Sequence, residues 1–576
     1  MKKAFLVIIL SLFIVLSLFA SSQKYIEIDS REWRAVSWLC RYVGIPGPSS
    51  FGPVTIAQLD NAINRAASII GNDNELVVST RKLIHSEEYT VDDGIGYFNI
   101  DLFINPEVYI QSNPDSSETF DDGYVAFVDR DWEIRKMKDR DPLFGFELEF
   151  GIHDYAYGIF RMGKGIDYLR NDIFDQGFFY NFSFSSSSEE EPRRAGVSVG
   201  TDNLSLIIGR AGVSLGEGFT GSTILGDNLN FQEFLKAGFF SDSMGIFLNL
   251  THFDSSHGKV RDTESPFGLI SSRFSGYHQI RFTPLWEISL FGKMKVGISF
   301  PNMIDTDSPF DIRLLNPFAF LHQYYNMKEY KILEGNNMMA LNISFSPTEK
   351  WNIYLEGCLD QFQGKDEIEG HTDDVDPNGW ATLMNISYSD IILSGRTTIF
   401  LEGVYTSPAM YLNAKYYNAD GSITNTKTSK YAWSQDWLVG YYSNTENLVN
   451  DITWSGYIYG PDSIVGAIGF YYDNLRNIEL NSRIQYMAHG EKGRGSAFIN
   501  YTFEDMRTAE TINAMSPTGI VEHTLSLSSE LKLHFLSSLD LYLGASFSYK
   551  WNYRNQEGVN RSNLQIALGS KYSFTL

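Results

Sequence analysis

The residues best suited to recognise a ligand are concentrated in one stretch. Between 403 and 459 the chain carries Tyr405, Tyr411, Tyr416, Tyr417, Tyr431, Trp433, Trp437, Tyr441, Tyr442, Trp454, Tyr457 and Tyr459, with Asn, Ser, Thr and Asp between them. Aromatic faces stack on sugar rings, and amide and carboxylate side chains hydrogen-bond hydroxyls. Trp433, Trp437, Tyr441 and Tyr442 are therefore the candidate glycan-binding set. The same composition would also serve an aromatic girdle with a self-packed loop. A second stretch, 366–379, is acidic. Asp374, Asp376, Asn378 and Gly379 follow the opening of a calcium loop, but Pro377 interrupts it and the twelfth position, which needs an acid, is Asn385. A solvated acidic turn is the expectation, with no metal. A third stretch, 209–221, is rich in glycine. It lacks the Gly-Lys-Ser/Thr ending of a phosphate loop and no helical pattern follows. Its glycines instead let the chain turn or constrict inside a barrel. Arg210 there could bind an anionic sugar or pair with a carboxylate inside a barrel. Ten histidines and many serines are present, yet no spacing nominates a Ser–His pair. The chain is read as a non-enzyme without a cofactor.

These residues must be positioned by strands. From about residue 95 the hydrophobic period is two. At the C-terminus Leu564, Ile566, Leu568, Tyr572, Phe574 and Leu576 share one face, and Asn563, Gln565, Lys571, Ser573 and Thr575 the other. An aromatic-ended terminal strand of this kind resembles the C-terminal signal of outer-membrane proteins, with Leu576 where Phe is usual. Leu525, Leu527, Leu531, Leu533 and Phe535 join Leu541, Leu543, Phe547, Tyr549 and Trp551 through a turn at Ser537 and Ser538. Met339, Leu341, Ile343 and Phe345 join Trp351, Ile353, Leu355 and Leu359 through a turn at 347–350. Such runs exceed ordinary soluble strands and match membrane strands of roughly ten residues. Short turns alternate with long polar loops, conspicuously at 183–193, 360–379 and 408–462. The expected fold is an all-β membrane protein: a closed antiparallel transmembrane β-barrel of about 16–18 strands over 93–576. A soluble sandwich or β-helix would share the alternation.

The start of the chain differs. Lys2 and Lys3 precede an apolar run from Ala4 to Ala20, and small residues follow at Ser21 and Ser22. This is a signal peptide over 1–22, cleaved near Ser22; an uncleaved anchor is the alternative. Residues 23–92 read as a small helical periplasmic region. Trp33, Val36, Cys40 and Val43 recur at helical spacing before Gly44. Thr55 and Gln58 form a capping box ahead of Ile56, Leu59, Ile63 and Ile70, with Gly71 as the stop. A third helix is expected from Asn74 to His85.

Composition narrows the class. The chain has 576 residues, more than one soluble core usually organises, whereas a barrel lengthens by adding strands. The net charge of −24 lacks the basic footprint that duplex nucleic acid needs, so none is expected as a partner. Cys40 and Cys358 stand far apart and imply no disulfide framework.

An ordered set of features between 203 and 362 carries a resemblance. Leu206-Ile207-Ile208-Gly209-Arg210 leads to Gly216, Gly218 and Gly221, then to Gly226-Asp227-Asn228. Asn316-Pro317 follows, and a strand through Tyr354-Leu355-Glu356 ends at Asp360-Gln361-Phe362. This resembles the Wzi-type capsule-assembly outer-membrane proteins, although Gly226 stands where Ser is usual and no Trp precedes Gly216. The resemblance implies a helical bundle ahead of a lectin-like barrel in the bacterial outer membrane that attaches capsular or exopolysaccharide to the cell surface. Its partners would be surface polysaccharide, outer-membrane lipid and the barrel-assembly machinery. A porin or substrate-specific channel is the competing reading.

Overall fold

The computed structural model describes residues 23–85, 97–114, 118–119, 125–126, 134, 140, 142–152, 155–166, 177–181, 187–189, 194–226, 228, 231–253, 278–306, 334–361, 378–411, 413–417, 430–434, 438–442, 449–491, 514–536 and 538–575. The leader at 1–22 and parts of the three long loops lie outside them. Antiparallel neighbours follow one another in chain order from Tyr97–Ile104 to Arg561–Thr575. The last strand then pairs back onto the first, with Asp101 opposite Thr575 and Ile104 opposite Tyr572. The result is a closed barrel of 18 strands, within the range that the alternation predicts. Some positions in the ring are interrupted. Met294–Ser299 and Asn302–Thr306 both face His278–Leu290, and Tyr97–Ile104 and Glu107–Gln111 both face Arg561–Thr575.

The two strand faces are inverted relative to a soluble protein. In Gly395–Thr406, Leu401 is 58% exposed while Glu402 beside it is 3% exposed. In Trp351–Gln361, Trp351, Leu355 and Leu359 face outward, and Asn352, Tyr354, Glu356 and Cys358 are buried. Leu543 and Phe547 repeat the pattern on Leu539–Trp551, with Ser546 and Ser548 inside. Leaving one such large side chain in water forgoes ~1.5–3 kcal/mol. A whole ring of them is stable only where the surrounding solvent is hydrocarbon. Among the described residues no helix is long and apolar enough to cross a membrane. The hairpins foreseen at 347–350 and after Leu536 are both formed, Met339 lying opposite Leu359 and Leu527 opposite Phe547.

Three helices precede the barrel: α1 (Arg31–Tyr42), α2 (Ile56–Ile70) and α3 (Glu75–Ile84). Local signals explain each. Ser30 Oγ accepts the Trp33 amide at 3.2 Å, and the Thr55 amide donates to Gln58 Oε1 at 2.9 Å. Asn74 Oδ1 accepts the Leu76 amide at 2.9 Å. Gly44 leaves α1 with φ +77°, and a side chain there would press on the Glu349 backbone. The helices share a core that includes Trp33, Val36, Leu39, Leu59, Ile63 and Val77. Cys40 lies within it, where burial pushes its thiol up to about 11. Cys40 and Cys358 are both free. The Lys350 amide donates to the Arg41 carbonyl at 2.9 Å, which sets α1 at the short-turn end of the barrel.

Candidate functional site

After the strand Leu204–Ala211 the chain turns into the barrel. Residues 211–226 form an irregular hairpin in which Leu215 bridges both Leu225 and Phe51. Gly216 adopts φ +147°, and a Cβ there would fall within 3 Å of the Glu356 carboxylate and Ser222, so this approach to the wall requires glycine. Two inward carboxylates grip the hairpin. Glu356 accepts from the Thr223 hydroxyl at 2.6 Å, Ser222 Oγ at 3.1 Å and Tyr354 Oη at 2.8 Å, and from the Thr223 amide. Glu402 accepts the Phe219 and Thr220 amides, each at 2.7 Å, and the Thr220 hydroxyl at 2.5 Å. Each carboxyl group accepts from several donors at once, and such satisfied buried networks fix one arrangement of the chain. Phe219 also stacks on Phe400 with ring centres 3.9 Å apart.

The helices occupy the short-turn end and reach the same hairpin. Arg31 binds Asp473 with both Nε and Nη2, at 3.0 and 2.8 Å. Trp38 Nε1 donates to the Thr397 carbonyl at 3.0 Å. Arg396 donates to Thr80 Oγ1 at 2.7 Å and Ser79 Oγ at 2.9 Å. Lys236 on the wall donates to the Pro53 carbonyl at 2.8 Å and to the Phe51 carbonyl. Glu217 at the hairpin takes Arg41 at 3.2 Å and Lys295 at 3.3 Å, joining helix, hairpin and wall. On the hairpin's other flank, Asn228 donates to the carbonyls of Trp454 and Gly456 at 2.8 and 2.7 Å. Tyr411 Oη donates to the Thr223 carbonyl at 2.7 Å, and Arg281 reaches Ser455, Gln232 and Thr251. The helical region, the hairpin and the segment around Trp454 and Gly456 thus meet inside the barrel.

The residues nominated from sequence fall in different places. Gly209 and Arg210 end a wall strand. Arg210 does pair with a carboxylate, Glu233, directly opposite it on Gln232–Phe240. Ile208 on the same face is exposed, so this pair faces outward and not into the lumen. Gly216, Gly218 and Gly221 belong to the hairpin, where a Cβ on Gly218 would collide with the Gly221 carbonyl, and Asn228 follows it. Asp360 lies near the end of Trp351–Gln361. Asp227, Asn316, Pro317 and Trp437 lie outside the described residues, as does most of the acidic loop at 366–379. Trp433, Tyr441 and Tyr442 belong to short strand pairs at Lys430–Ser434 and Leu438–Tyr442, away from the closed sheet. Other aromatics of that stretch turn inward: Tyr411, Trp454 and Tyr457 are buried in the core that encloses the hairpin. Sequence reasoning missed Glu356, Glu402, Lys236, Arg281 and Arg396 as the groups that hold the interior. Their signal is a charged residue on the face opposite the lipid-facing apolar one.

No family model matches the chain, and no curated protein matches it either. Among solved structures, the chain is similar to Wzi of Escherichia coli, an outer-membrane protein involved in group 1 capsule assembly and described as a carbohydrate-binding β-barrel. The TM-score is 0.53 at 11% identity, covering 96% of this chain and all of Wzi. The outer-membrane channel DcaP of Acinetobacter baumannii is matched with a TM-score of 0.32 at 10% identity, over 83% of this chain and 97% of DcaP. The Wzi likeness is one of fold. Together with the closed sheet and its apolar outer surface, it makes this chain a β-barrel of the bacterial outer membrane.

Proposed function

We propose that the barrel binds capsular or exopolysaccharide and helps attach or assemble it at the cell surface, without catalysing a reaction. The observation that carries this reading is the occupied interior. Glu356, Glu402, Lys236, Arg281 and Arg396 all hold segments of the protein's own chain. In a diffusion channel such inward charges would line a water-filled passage. An interior built this way leaves the outer loops as the working surface, with Trp433, Trp437, Tyr441 and Tyr442 as the aromatic residues that would stack on sugars there. The overall likeness to a carbohydrate-binding barrel supports the same reading. Surface polysaccharide is then the partner, and the barrel-assembly machinery the insertion route. The test is a deletion strain scored for cell-bound polysaccharide and small-solute uptake, with purified barrel tested on immobilised polysaccharide and in planar bilayers. Polysaccharide loss, column retention and the absence of steady conductance are expected. Normal polysaccharide with impaired uptake and steady conductance would replace this function with that of a channel.

A further inference from the structure

A cavity of about 100 Å³ lies between α1, the hairpin and the wall. That is several times the ~10–15 Å³ that admits one water. Its boundary includes Arg34, Ser37 and Arg41 of α1, Phe219 of the hairpin, and Tyr471 and Arg483 of the wall. Arg34 lies with its Cζ 4.6 Å from the centre of the Tyr471 ring. Its guanidinium finds no hydrogen-bond acceptor among the described residues, and its Nε is buried without one. Ser37 is 2% exposed, and its hydroxyl also has no partner among the described residues. Asn481 borders the same cavity and is exposed, which connects the cavity to solvent beside the short turn after Ser463–Asp473.

Three arginines border the cavity, against the carboxylates of Asp29 and Glu217, and Glu479 and Glu530 also act on Arg34. Glu217 is already engaged by Arg41 and Lys295. A buried Nε without an acceptor is costly, and the planar fork of a guanidinium matches the two oxygens of a carboxylate or phosphate. We infer that this cavity binds an oxyanionic group, carboxylate or phosphate, with Arg34 as its main donor and the Ser37 hydroxyl as a second. The anion chemistry stands by itself. That a sugar acid is one source of it rests on the polysaccharide reading.

Calorimetry on the purified, full-length barrel in detergent tests the site with sodium glucuronate, inorganic phosphate and glucose. Saturable binding of either anion, with none of glucose, is expected. Glucuronate binding identifies a sugar acid as the source, and phosphate binding without glucuronate identifies phosphate. Arg34→Gln weakens binding about tenfold or more, and Arg34→Lys restores part of it. Asn481→Glu, at an exposed position, weakens it by repulsion while the barrel keeps its heat-modifiable migration on gels. The inference fails if neither anion binds the unaltered protein, or if binding survives both Arg34→Gln and Asn481→Glu. Loss of polysaccharide retention with anion binding intact would sink the function proposed above and leave this site standing.

Discussion

The outside and the inside of the same strands are specified in different ways. On the outside, Leu355, Leu359, Ile399, Leu401, Leu543 and Phe547 present hydrocarbon to hydrocarbon. One apolar side chain there substitutes for another at little cost, because lipid adapts to shape. On the inside, the two carboxyl groups that hold the hairpin have particular partners far along the chain. Glu356 and Thr223 are separated by 133 residues, and Glu402 and Thr220 by 182. The difference teaches that the wall is specified by composition and the interior by individual contacts.

Neighbouring residues test this directly. Glu402→Ala strips the Phe219 and Thr220 amides and the Thr220 hydroxyl of their acceptor inside a dry lumen. A loss of ~3–5 kcal/mol in urea unfolding of the barrel in micelles is expected. Leu401→Val, one residue away, is expected to stay within ~0.5 kcal/mol. Equal effects of the two would break the comparison. Leu401→Arg sharpens it from the other side, with a cost of ~2–4 kcal/mol if the residue sits near the bilayer midplane, read from the folding equilibrium in lipid vesicles. Arg31→Ala removes a bidentate pair with Asp473 between helix and wall. About 1.5–3 kcal/mol of local stability is expected to be lost. Hydrogen exchange should speed up across α1 while the barrel's own unfolding midpoint holds; a matching drop in that midpoint would mean that helix and wall melt as one unit. Among the losses of a polar contact the smallest is Ser30→Ala, ~1 kcal/mol from the lost cap, read as faster exchange of the Trp33 amide.

The same contrast explains what was legible in the sequence. Asn74, the Thr55–Gln58 box and Gly44 act within a few residues, so α1, α2 and α3 could be located from local spacing. Alternation located Glu522–Leu536 and Leu539–Trp551 because a face open to lipid admits only apolar side chains. The glycines of 209–221 announced a turn or constriction inside the barrel, but not which wall residues would hold it, since Glu356 and Glu402 lie on distant strands. Aromatic residues were the weakest guide. Trp454 and Tyr457 have the same side-chain types as Trp433 and Tyr441, yet they are buried against the hairpin. Residue type reports that a ring can stack, and in an irregular segment no period reports on what.

The pairing of Arg561–Thr575 with Tyr97–Ile104 has a temporal consequence. The seam joins the latest strand of the sheet to its earliest one, so the wall cannot shut until every strand of the sheet has been exported. The helices and the hairpin come before most of the wall and must already be folded in or lodged nearby when it shuts. A chain cut short before Arg561 would leave two unpaired strand edges around a half-wrapped insert, a species prone to pairing with its own copies.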